Sequence, residues 1–471
     1  MKNFLRISNI KKTAYYLKKN GLKQTYYAAK ERTVQEIREN YSYQPPTDEA
    51  LFRQREKSAE MQYKFSIVVP VYDPPLAYFS AMVESVLAQS YPHFELILAD
   101  AGESEEVTGL ALQYQLNDKR IKYHRLVENK GISGNTNAAL QYTTGDYIGL
   151  LDHDDLLTSD ALFEMAHHIE VANGKGIRLG FLYSDEDKLG NDGITYYDYH
   201  QKTGLNLDLI LSNNYICHFL VMRRDIIQTL ELRSAYDGAQ DYDLCLRAIE
   251  MLLGKSFGRD AEELIISLKR AKEAVCHVDK VLYHWRCHQE STAENPASKG
   301  YAYEAGKRAI EDFIRRRGYN GIVHHTRHLG FYRVEYLPDE LSLRPEVGIV
   351  GGKLINKQEK IAGGIYLADG TPIYNGLHKE YSGYMHRAIL LQEAEAVDIR
   401  AMKISPLVAD IFEEVTGLPY LENPRNGRFD WRGGLKEEAD FKKISLNFCR
   451  KVTAAGFTIV WDPQMIERLK Y

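Results

Sequence analysis

A short buried strand that is followed at once by carboxylates most constrains how this chain can fold. Residues 147–151 are apolar on both faces, a pattern typical of a parallel strand inside a sheet. Asp152, Asp154 and Asp155 come directly after it. Because open α/β sheets bind ligands beyond the carboxyl ends of their strands, these acids are expected to face a ligand. Carboxylates this close repel one another unless a cation lies between them, which favours a divalent metal that also holds a diphosphate. A solvated acidic loop before a helix that begins near Thr158 explains the same residues.

The alternation of strand and helix signals that begins at Phe65 predicts an α/β fold with a mostly parallel sheet. Strands are predicted over residues 65–72, 94–100 and 121–126, and the second of them ends in Asp100. The chain lacks G-x-G-x-x-G and G-x-x-x-x-G-K-[ST]. This absence argues against a dinucleotide site and against a P-loop.

The length and composition of the chain set the remaining limits. Its 471 residues are too many for one ordinary core and predict two to three units. Five widely spaced cysteines without C-x-x-C indicate neither a disulfide framework nor a zinc site, and they favour a reducing compartment. The net charge of −5 gives no case for nucleic acid as a partner. We expect a protein of the cytoplasm, because no run of eighteen apolar residues and no apolar leader with a cleavage site is present.

Residues 1–63 are predicted to form a basic helical segment. Apolar and aromatic residues recur there at helical spacing among many Lys and Arg residues, and the pattern is broken at Gly21 and at Pro45-Pro46. Such a segment suits an anionic membrane surface or a docking helix. A helical appendage whose lysines are merely solvated explains the pattern equally well.

Seven ordered motifs lie between residues 64 and 335. They comprise residues 65–72, 99–104, 128–139, 150–155, 182–188, 238–247 and 282–286. Together they resemble the motifs of inverting family 2 glycosyltransferases with the GT-A fold, most closely the rhamnosyltransferase-like enzymes that build bacterial surface polysaccharides. The resemblance implies a GT-A catalytic domain over residues 64–336. The family usually has a second Asp where this chain has Ala101, so recognition of the base and ribose falls to Asp100.

The resemblance also implies roles for individual residues. Asp154 is expected to be the ligand of Mn²⁺ or Mg²⁺, and Asp152 is expected to support the ribose and the metal. Asp241 is similar to the base that accepts the proton of the acceptor hydroxyl, although a helix N-cap explains it too. Substrate contacts are expected from Pro70, Tyr72, Asp100, Asn129, Gly131, Asn137, Asp152, Glu186, Gln240, His284, Trp285 and Arg286.

Two clusters remain open to more than one interpretation. His284, Arg286 and His288 alternate along a predicted strand, where cations meet a diphosphate or serve only the packing. The acids of residues 185–187 are expected on the acceptor side, and a solvated loop explains them as well.

Residues 337–471 resemble the second half of a further copy of the same fold without its nucleotide-binding half. Ser445 and Asn447 stand where the motif Asp-x-Asp-Leu-Cys has its two acids. We therefore expect a degenerate half-domain without catalysis, retained for packing, acceptor binding or dimerisation.

The leading hypothesis is a metal-dependent inverting glycosyltransferase at the inner face of the cell membrane. It would transfer a sugar, with rhamnose among those considered, from a dTDP- or UDP-sugar to a polysaccharide or polyprenyl-linked acceptor, as a monomer or a homodimer. One alternative is a non-catalytic glycan-binding or scaffold protein, which the joint presence of Asp152, Asp154 and Asp241 disfavours. The other is a sugar nucleotidyltransferase, which would need a first loop rich in Gly, Arg and Lys where this chain has Asp73-Pro74-Pro75-Leu76.

Overall fold

A computed structural model describes residues 7–35, 41–254, 260–287, 300–420, 435 and 440–469. Two helices precede the first sheet, α1 (Ile7–Gln35) and α2 (Asp48–Ser58). Helix α1 is kinked at Gly21, whose φ is 77°, and an extended stretch that includes Pro45 and Pro46 precedes α2. Both predicted breaks are therefore confirmed. Within the described residues, no helix is long and apolar enough to span a bilayer.

A mixed sheet flanked by helices occupies the middle of the chain. Its elements are β1 (Phe65–Val71), α3 (Leu76–Leu87), β2 (Phe94–Asp100), α4 (Glu105–Asn117), β3 (Ile121–Arg125), α5 (Gly131–Leu140), β4 (Tyr147–Leu150), β5 (Leu156–Leu157), α6 (Ala161–Gly174), β6 (Phe181–Leu189), β7 (Tyr196–His200), α7 (Leu207–Ile210), β8 (Leu220–Arg223), α8 (Arg224–Leu230), α9 (Gln240–Leu253), α10 (Ala261–Glu273) and β9 (Val275–Arg286). The strand order is β3-β2-β1-β4-β8-β6-β9-β5, and β7 pairs with β6. Strands β1 to β4 are parallel, β8 runs antiparallel to β4 and β6, and β6 is parallel to β9.

Helices cover both faces of this sheet, which is why β1 and β2 are apolar without alternation. Val68 and Ile97 pack into the hydrophobic cluster on one face. Their chain neighbours Ile67, Val69 and Leu96 pack into the cluster on the other. Each such side chain contributes about 1.5–3 kcal/mol through its burial. The sheet is thus a rigid base from which the loops at the strand ends project.

A hairpin and a second sheet follow. The elements are α11 (Gly300–Arg316), β10 (Gly321–His325), β11 (Tyr332–Tyr336), α12 (Glu340–Leu343), β12 (Val347–Ile355), β13 (Ile361–Gly363), β14 (Ile365–Tyr366), β15 (Gln392–Glu393), β16 (Ala396–Val397), β17 (Met402–Ile404), α13 (Ala409–Thr416), α14 (Phe441–Ala454) and β18 (Thr458–Arg468). Strand β12 is parallel to β18 and antiparallel to β13 and β17. Strand β6 has the same pattern of one parallel and two antiparallel neighbours, because it is parallel to β9 and antiparallel to β7 and β8.

The second sheet packs against the first part of the chain. Val347 and Val350 of β12 belong to the same hydrophobic cluster as Ile210 and Tyr336. Beside them the buried Arg344 donates hydrogen bonds to Asp208 and to acids of its own segment. Breaking such a buried ion pair from one side typically costs about 3–5 kcal/mol. The residues after Tyr336 are therefore part of a continuous core.

One face of α1 is docked on the loop that precedes β15. Lys23 and Gln24 donate hydrogen bonds to Glu380, and the ring of Tyr27 stacks on His378 with centroids 4.6 Å apart. The carboxylate of Glu31 accepts hydrogen bonds from the backbone N–H groups of Ser382 and Gly383. These contacts support the interpretation of this segment as a docking helix.

The opposite face of α1 leaves apolar side chains in solvent. Leu22 is 79% exposed and Tyr26 is 60% exposed. The exposed Lys18 and Lys30 lie on the same helix. Lys2, Arg6 and Arg38, which also contribute to the basic pattern, lie outside the described residues.

Candidate active site

The loop after β4 brings three carboxylates together. Oxygen atoms of Asp152, Asp154 and Asp155 lie within 4.8 Å of one another. Asp155 is buried, accepts a hydrogen bond from the hydroxyl of Tyr283 at 2.5 Å and accepts another from the backbone N–H of Arg286 at 2.7 Å. Asp152 is reached by solvent. Asp155 thus anchors the loop to β9, while Asp152 faces the cleft.

The pKa values of these acids record their mutual repulsion. Burial raises the pKa of Asp155 well above its usual range, and the charges of Asp154 and Asp152 raise it further. Loss of surrounding water also raises the pKa of Asp152, and Asp154 and Asp241 add to this against the opposing charge of His218. Three oxygen donors that disfavour one another's charge suit a hard divalent cation such as Mg²⁺ or Mn²⁺. The residues present fit a metal site, with Asp152 exposed to the cleft and a carboxylate oxygen of Asp154 beside it.

A second group of ionised side chains is centred on the buried Glu186 of β6. Its carboxylate accepts a hydrogen bond from the backbone N–H of His218 and lies 3.1 Å from Nδ1 of His200 and 3.6 Å from Nζ of Lys202. Burial raises the pKa of Glu186, but the charge of Lys202 and the two histidines outweigh it, so the pKa lies well below its usual range. Glu186 is therefore an ionised anchor for its neighbours.

His218 is the residue that this anchor presents to the cleft. Its ring stacks on that of Tyr283 with centroids 4.8 Å apart and lies 5.9 Å from the ring of Trp285. Burial lowers the pKa of His218, but the hydrogen bond and charge of Glu186, together with the charge of Asp152, raise it to about 9. His218 consequently carries a positive charge at neutral pH beside the carboxylate cluster. Sequence reasoning missed it, since a lone histidine before an apolar strand gives no motif.

Asp241 lies in the first turn of α9, at the edge of the same cleft. Its Oδ1 accepts a hydrogen bond from the backbone N–H of Tyr242 at 2.8 Å, and its Oδ2 accepts one from Nδ2 of Asn214 at 3.1 Å. Its charge acts on Asp152. The structure therefore brings Asp241 into the electrostatic neighbourhood of the carboxylate cluster. Gln240 accepts a hydrogen bond from the N–H of Gly238 and shapes the turn before the helix.

The neighbouring Asp243 has a structural partner set instead. It is buried and forms ion pairs with Arg233 and Arg247, the latter at 2.9 Å. Arg247 also donates to the carbonyls of Leu230 and Glu231. Asp243 thus ties α9 to the end of α8.

The three residues predicted on β9 separate into different environments. His284 is buried, with Nδ1 2.5 Å from Oδ1 of Asp187 and with the ring of Tyr43 4.5 Å away. Arg286 donates from Nε to the carbonyl of Asp154 at 2.7 Å and thereby holds the loop after β4. Trp285 is half-buried near His218. The phosphate contact predicted for His284 stays a prediction, and His288 lies outside the described residues.

The residues predicted at the ends of β1 and β2 lie at the carboxyl edge of the sheet. Pro70 pairs with Ala99 across the two strands, and the backbone N–H of Tyr72 is 3.4 Å from Nδ1 of His153. Asp100 is buried and accepts hydrogen bonds from Gly102 N, Tyr123 Oη, Thr108 Oγ1 and Arg125 Nη1. This set of donors holds the carboxylate of Asp100 in a fixed position.

The predicted residues before and within α5 are held by local contacts. Asn129 is exposed and accepts a hydrogen bond from the N–H of Gly131, whose φ of 75° suits glycine. Asn137 exchanges two 2.8 Å hydrogen bonds with the backbone of Leu232. Asn137 therefore fixes the loop that leads to α9, while Asn129 remains open to solvent.

In a mixed α/β sheet, ligands bind beyond the carboxyl ends of the strands, and the acids of this chain lie there. Residues 66–231 match the family described as glycosyl transferase family 2. The match covers about a third of the chain and lies within the mixed α/β sheet, with a helical segment before it and a further α/β region after it.

Several characterised and uncharacterised proteins are similar to this chain. The protein y4gI of Sinorhizobium fredii, described as uncharacterized, is 37% identical over 53% of this chain and 25% of its own length. The O-antigen biosynthesis protein RfbC of Myxococcus xanthus is 29% identical over 58% of this chain and 19% of its own length. This chain thus spans about a quarter or less of the length of these two relatives.

A shorter relative and a solved structure complete the comparison. The UDP-Glc:alpha-D-GlcNAc-diphosphoundecaprenol beta-1,3-glucosyltransferase WfgD of Escherichia coli is 32% identical over 28% of this chain and 49% of its own length. The crystal structure of S. aureus TarS 1-349 covers 53% of this chain and 65% of that one at 19% identity, with a TM-score of 0.38.

Proposed function

We propose that this chain is a metal-dependent inverting glycosyltransferase that acts in the synthesis of a cell-surface polysaccharide. It would take a sugar from a UDP- or dTDP-sugar, with rhamnose among the sugars considered, and attach it to a glycan or a polyprenyl-linked acceptor. The observation that carries the proposal is the carboxylate cluster of Asp152, Asp154 and Asp155 with Asp241 in its electrostatic neighbourhood. The relatives named for O-antigen biosynthesis and for glucosyl transfer to a diphosphoundecaprenol-linked sugar support the acceptor class.

The donor is held by charge in this proposal. A bound Mn²⁺ or Mg²⁺ supplies positive charge to the departing nucleoside diphosphate, and Asp154 together with Asp152 would hold it. His218 adds a cation from the protein itself. Arg286 keeps the loop in place through the carbonyl of Asp154. Further donor and acceptor contacts are assigned to Pro70, Tyr72, Asp100, Asn129, Gly131, Asn137, Glu186, Gln240, His284 and Trp285.

The acceptor is activated by Asp241. Its carboxylate takes the proton of the acceptor hydroxyl while the acceptor oxygen forms a bond to the anomeric carbon. The bond between that carbon and the diphosphate oxygen breaks in the same step, which inverts the configuration. Asn214, which donates to Oδ2 of Asp241, keeps the carboxylate oriented for this transfer.

The flanking regions are assigned supporting roles. We take the boundaries as residues 1–63, 64–336 and 337–471, with the last a truncated second copy of the fold that serves packing or dimerisation. Strands β12 and β6 each have one parallel and two antiparallel neighbours, and this likeness supports the interpretation of residues 337–471 as a second copy. The exposed apolar and basic side chains of α1 support attachment to the inner face of the cytoplasmic membrane.

A binding screen with a hydrolysis assay tests the proposal. The melting temperature is measured with UDP-, dTDP- and GDP-sugars in Mn²⁺ and in EDTA, because a ligand that binds only the folded state raises it. We expect one nucleotide class to stabilise the protein in Mn²⁺ and to be hydrolysed slowly without acceptor. Binding without hydrolysis would favour a glycan-binding scaffold, and the absence of binding by every nucleotide sugar would contradict the proposal.

A further inference from the structure

A cavity lies between the β10–β11 hairpin and the second sheet, and it shares no residue with the carboxylate cluster. Its volume is about 550 Å³. Its walls include His324, His325, Arg327 and Arg333 from the hairpin and Lys353 from β12. Ligand pockets typically measure about 300–1,000 Å³, so the cavity has room for a molecule the size of a sugar rather than a single small ion.

Lys353 is the residue that makes this cavity unusual. It is only 3% exposed, yet no hydrogen bond or ion pair to its ammonium occurs among the described residues. The ammonium lies 5.8 Å from the ring centroid of Trp461. Burial lowers the pKa of Lys353 to about 8, and the charge of Arg327 contributes. An ammonium in surroundings that hold little water is costly to keep charged, so the cavity that Lys353 lines favours an anion.

The acids near Lys353 already have other partners. Asp462 accepts two hydrogen bonds from Arg333, at 2.6 and 3.0 Å. Glu380 is paired with Lys23 at 2.9 Å, and Glu335 is 2.8 Å from Nε2 of His324. None of these three acids forms a direct contact with the ammonium of Lys353 in the described structure. Among the lining residues, Arg327, Arg333 and Lys353 are basic and Glu335 is acidic, while Asp462 and Glu380 act on Lys353 only through their charge.

Further polar groups are turned to the same space. Nδ1 of His325 is buried without a hydrogen-bond partner in the described residues, while its Nε2 is 2.9 Å from Glu304. This ring nitrogen, Nδ1, can form a hydrogen bond with a ligand, as donor or acceptor according to the tautomer. The guanidinium of Arg327 is held in place by Gln24 of α1 and by the carbonyl of Glu380. The cavity is thus preformed and cationic.

We propose that this cavity binds the oxyanion of a sugar-sized ligand, a phosphate or a carboxylate, through the ammonium of Lys353. Arg327 and His325 flank the anion, and the remaining volume takes the body of the ligand. A sugar phosphate and a uronic acid present the same oxyanion chemistry to these groups. The site is separate from the carboxylate cleft, so it stands or falls independently of the glycosyl transfer proposed above.

Isothermal titration calorimetry on the full chain in EDTA tests the site. The probes are glucose 1-phosphate, glucuronate and uncharged glucose, and the variants are Lys353→Met and Lys357→Met. Met keeps the length of the side chain without its charge, and the exposed Lys357 is a matched control in the same region. We expect at least one charged probe to bind, and glucose not to bind. Lys353→Met should weaken binding about tenfold to a hundredfold, and Lys357→Met should leave it unchanged.

The two charged probes distinguish the source of the anion, since preference for glucose 1-phosphate assigns a phosphate and preference for glucuronate assigns a carboxylate. Lys353→Met is expected to melt no lower than wild type, because it removes a buried ammonium that has no partner. If it does not fold, Lys353→Gln carries the same test. Failure of both charged probes to bind folded wild type at millimolar concentration would overturn the proposal. Equal binding by the folded Lys353 variant would overturn it as well.

Discussion

Glu186→Gln should lower the pKa of His218, so that its positive charge beside the carboxylate cluster is lost as the pH rises. In the wild type, Glu186 accepts from the backbone of His218 and its charge raises the pKa of the imidazole against the effect of burial. The result is a rise from the ordinary 6.5 to about 9, which corresponds to about 3 kcal/mol. Without the carboxylate of Glu186, only the charges of Asp152 and Asp155 oppose the effect of burial, and we expect the pKa of His218 to fall towards its ordinary 6.5.

The direction of the pH effect follows from these values. A folded-state pKa above the unfolded one stabilises the protein below about pH 6.5, and this contribution is lost as the pH rises through about 9. The wild type should therefore bind UDP with nearly constant affinity from pH 6 to pH 8, the range in which His218 is protonated. In Glu186→Gln the affinity should fall about tenfold or more over the same range, because a charged hydrogen-bond donor is lost.

Calorimetric titration of UDP in EDTA between pH 6 and pH 9 measures this difference without a metal. Glu164→Gln is the control, since Glu164 is also buried and paired with a lysine, Lys280, at 2.6 Å. Glu186→Gln leaves the buried Lys202 without its anion and should cost about 3–5 kcal/mol of stability, so circular dichroism must show a folded variant. Parallel pH profiles for wild type and Glu186→Gln would refute the reasoning.

Four further predictions concern the metal, the N-terminal helix and, twice, the tail. Asp154→Asn should weaken binding of the nucleotide sugar in Mn²⁺ and change it little in EDTA, because the lost ligand matters only with the ion; equal loss in both would exclude the assignment. Deletion of residues 1–40 should release the protein from anionic vesicles in a sedimentation assay, and high salt should reproduce this; co-sedimentation that neither treatment alters would exclude a membrane role. Truncation after Tyr336 should cause aggregation visible in gel filtration, since it strips cover from the core that Val347 and Val350 complete; a soluble monomeric product would contradict this. Ser445→Asp with Asn447→Asp should restore no transfer to Asp154→Asn, and any regained metal-dependent transfer would identify a second working site.

The strands that carry the site could be predicted from sequence because their signals are local. The predicted strand at residues 94–100 coincides with β2, and the one at 147–151 ends one residue beyond β4. An apolar run between turn residues needs no distant partner to be recognised. The acids that follow each strand then have only one edge of the sheet at which to lie, so the cluster of Asp152, Asp154 and Asp155 was predictable too.

The group around Glu186 could not be predicted in the same way. It joins β6 to His218, which precedes β8, and to Tyr283 of β9, and these strands become neighbours only through the order of the sheet. The pairing of His284 with Asp187 has the same origin, because a strand pattern says which side chains share a face but not which acid meets them. Which side chains pair with one another in the site could therefore be seen only in the folded structure, not in the sequence.

The tail, residues 337–471, contains both features that the sequence predicted and features that it did not. The resemblance of the tail to a second copy of the fold rests on short sequence motifs. The pairing pattern that β12 and β6 have in common becomes visible only in the structure. The buried Ser445 accepts a hydrogen bond from the backbone N–H of Ile399 and so has a structural role in α14. No sequence pattern indicated the cavity that Lys353 lines, because a single lysine in an apolar strand belongs to no recognisable motif.

Transfer by Asp241→Asn tests the central claim most directly, because a base that acts in the transition state affects chemistry and not donor binding. The account predicts that kcat falls by about 10²–10⁴ while the Kd of the nucleotide sugar stays near that of wild type. The N-cap of α9 is Ala239, so Asp241 is not the cap predicted from sequence, and Asn can still accept the hydrogen bond from the N–H of Tyr242. A purely structural role for Asp241 would therefore leave both quantities almost unchanged. A near-normal kcat in a variant whose circular dichroism matches wild type would contradict the account and would place the base elsewhere in the cleft.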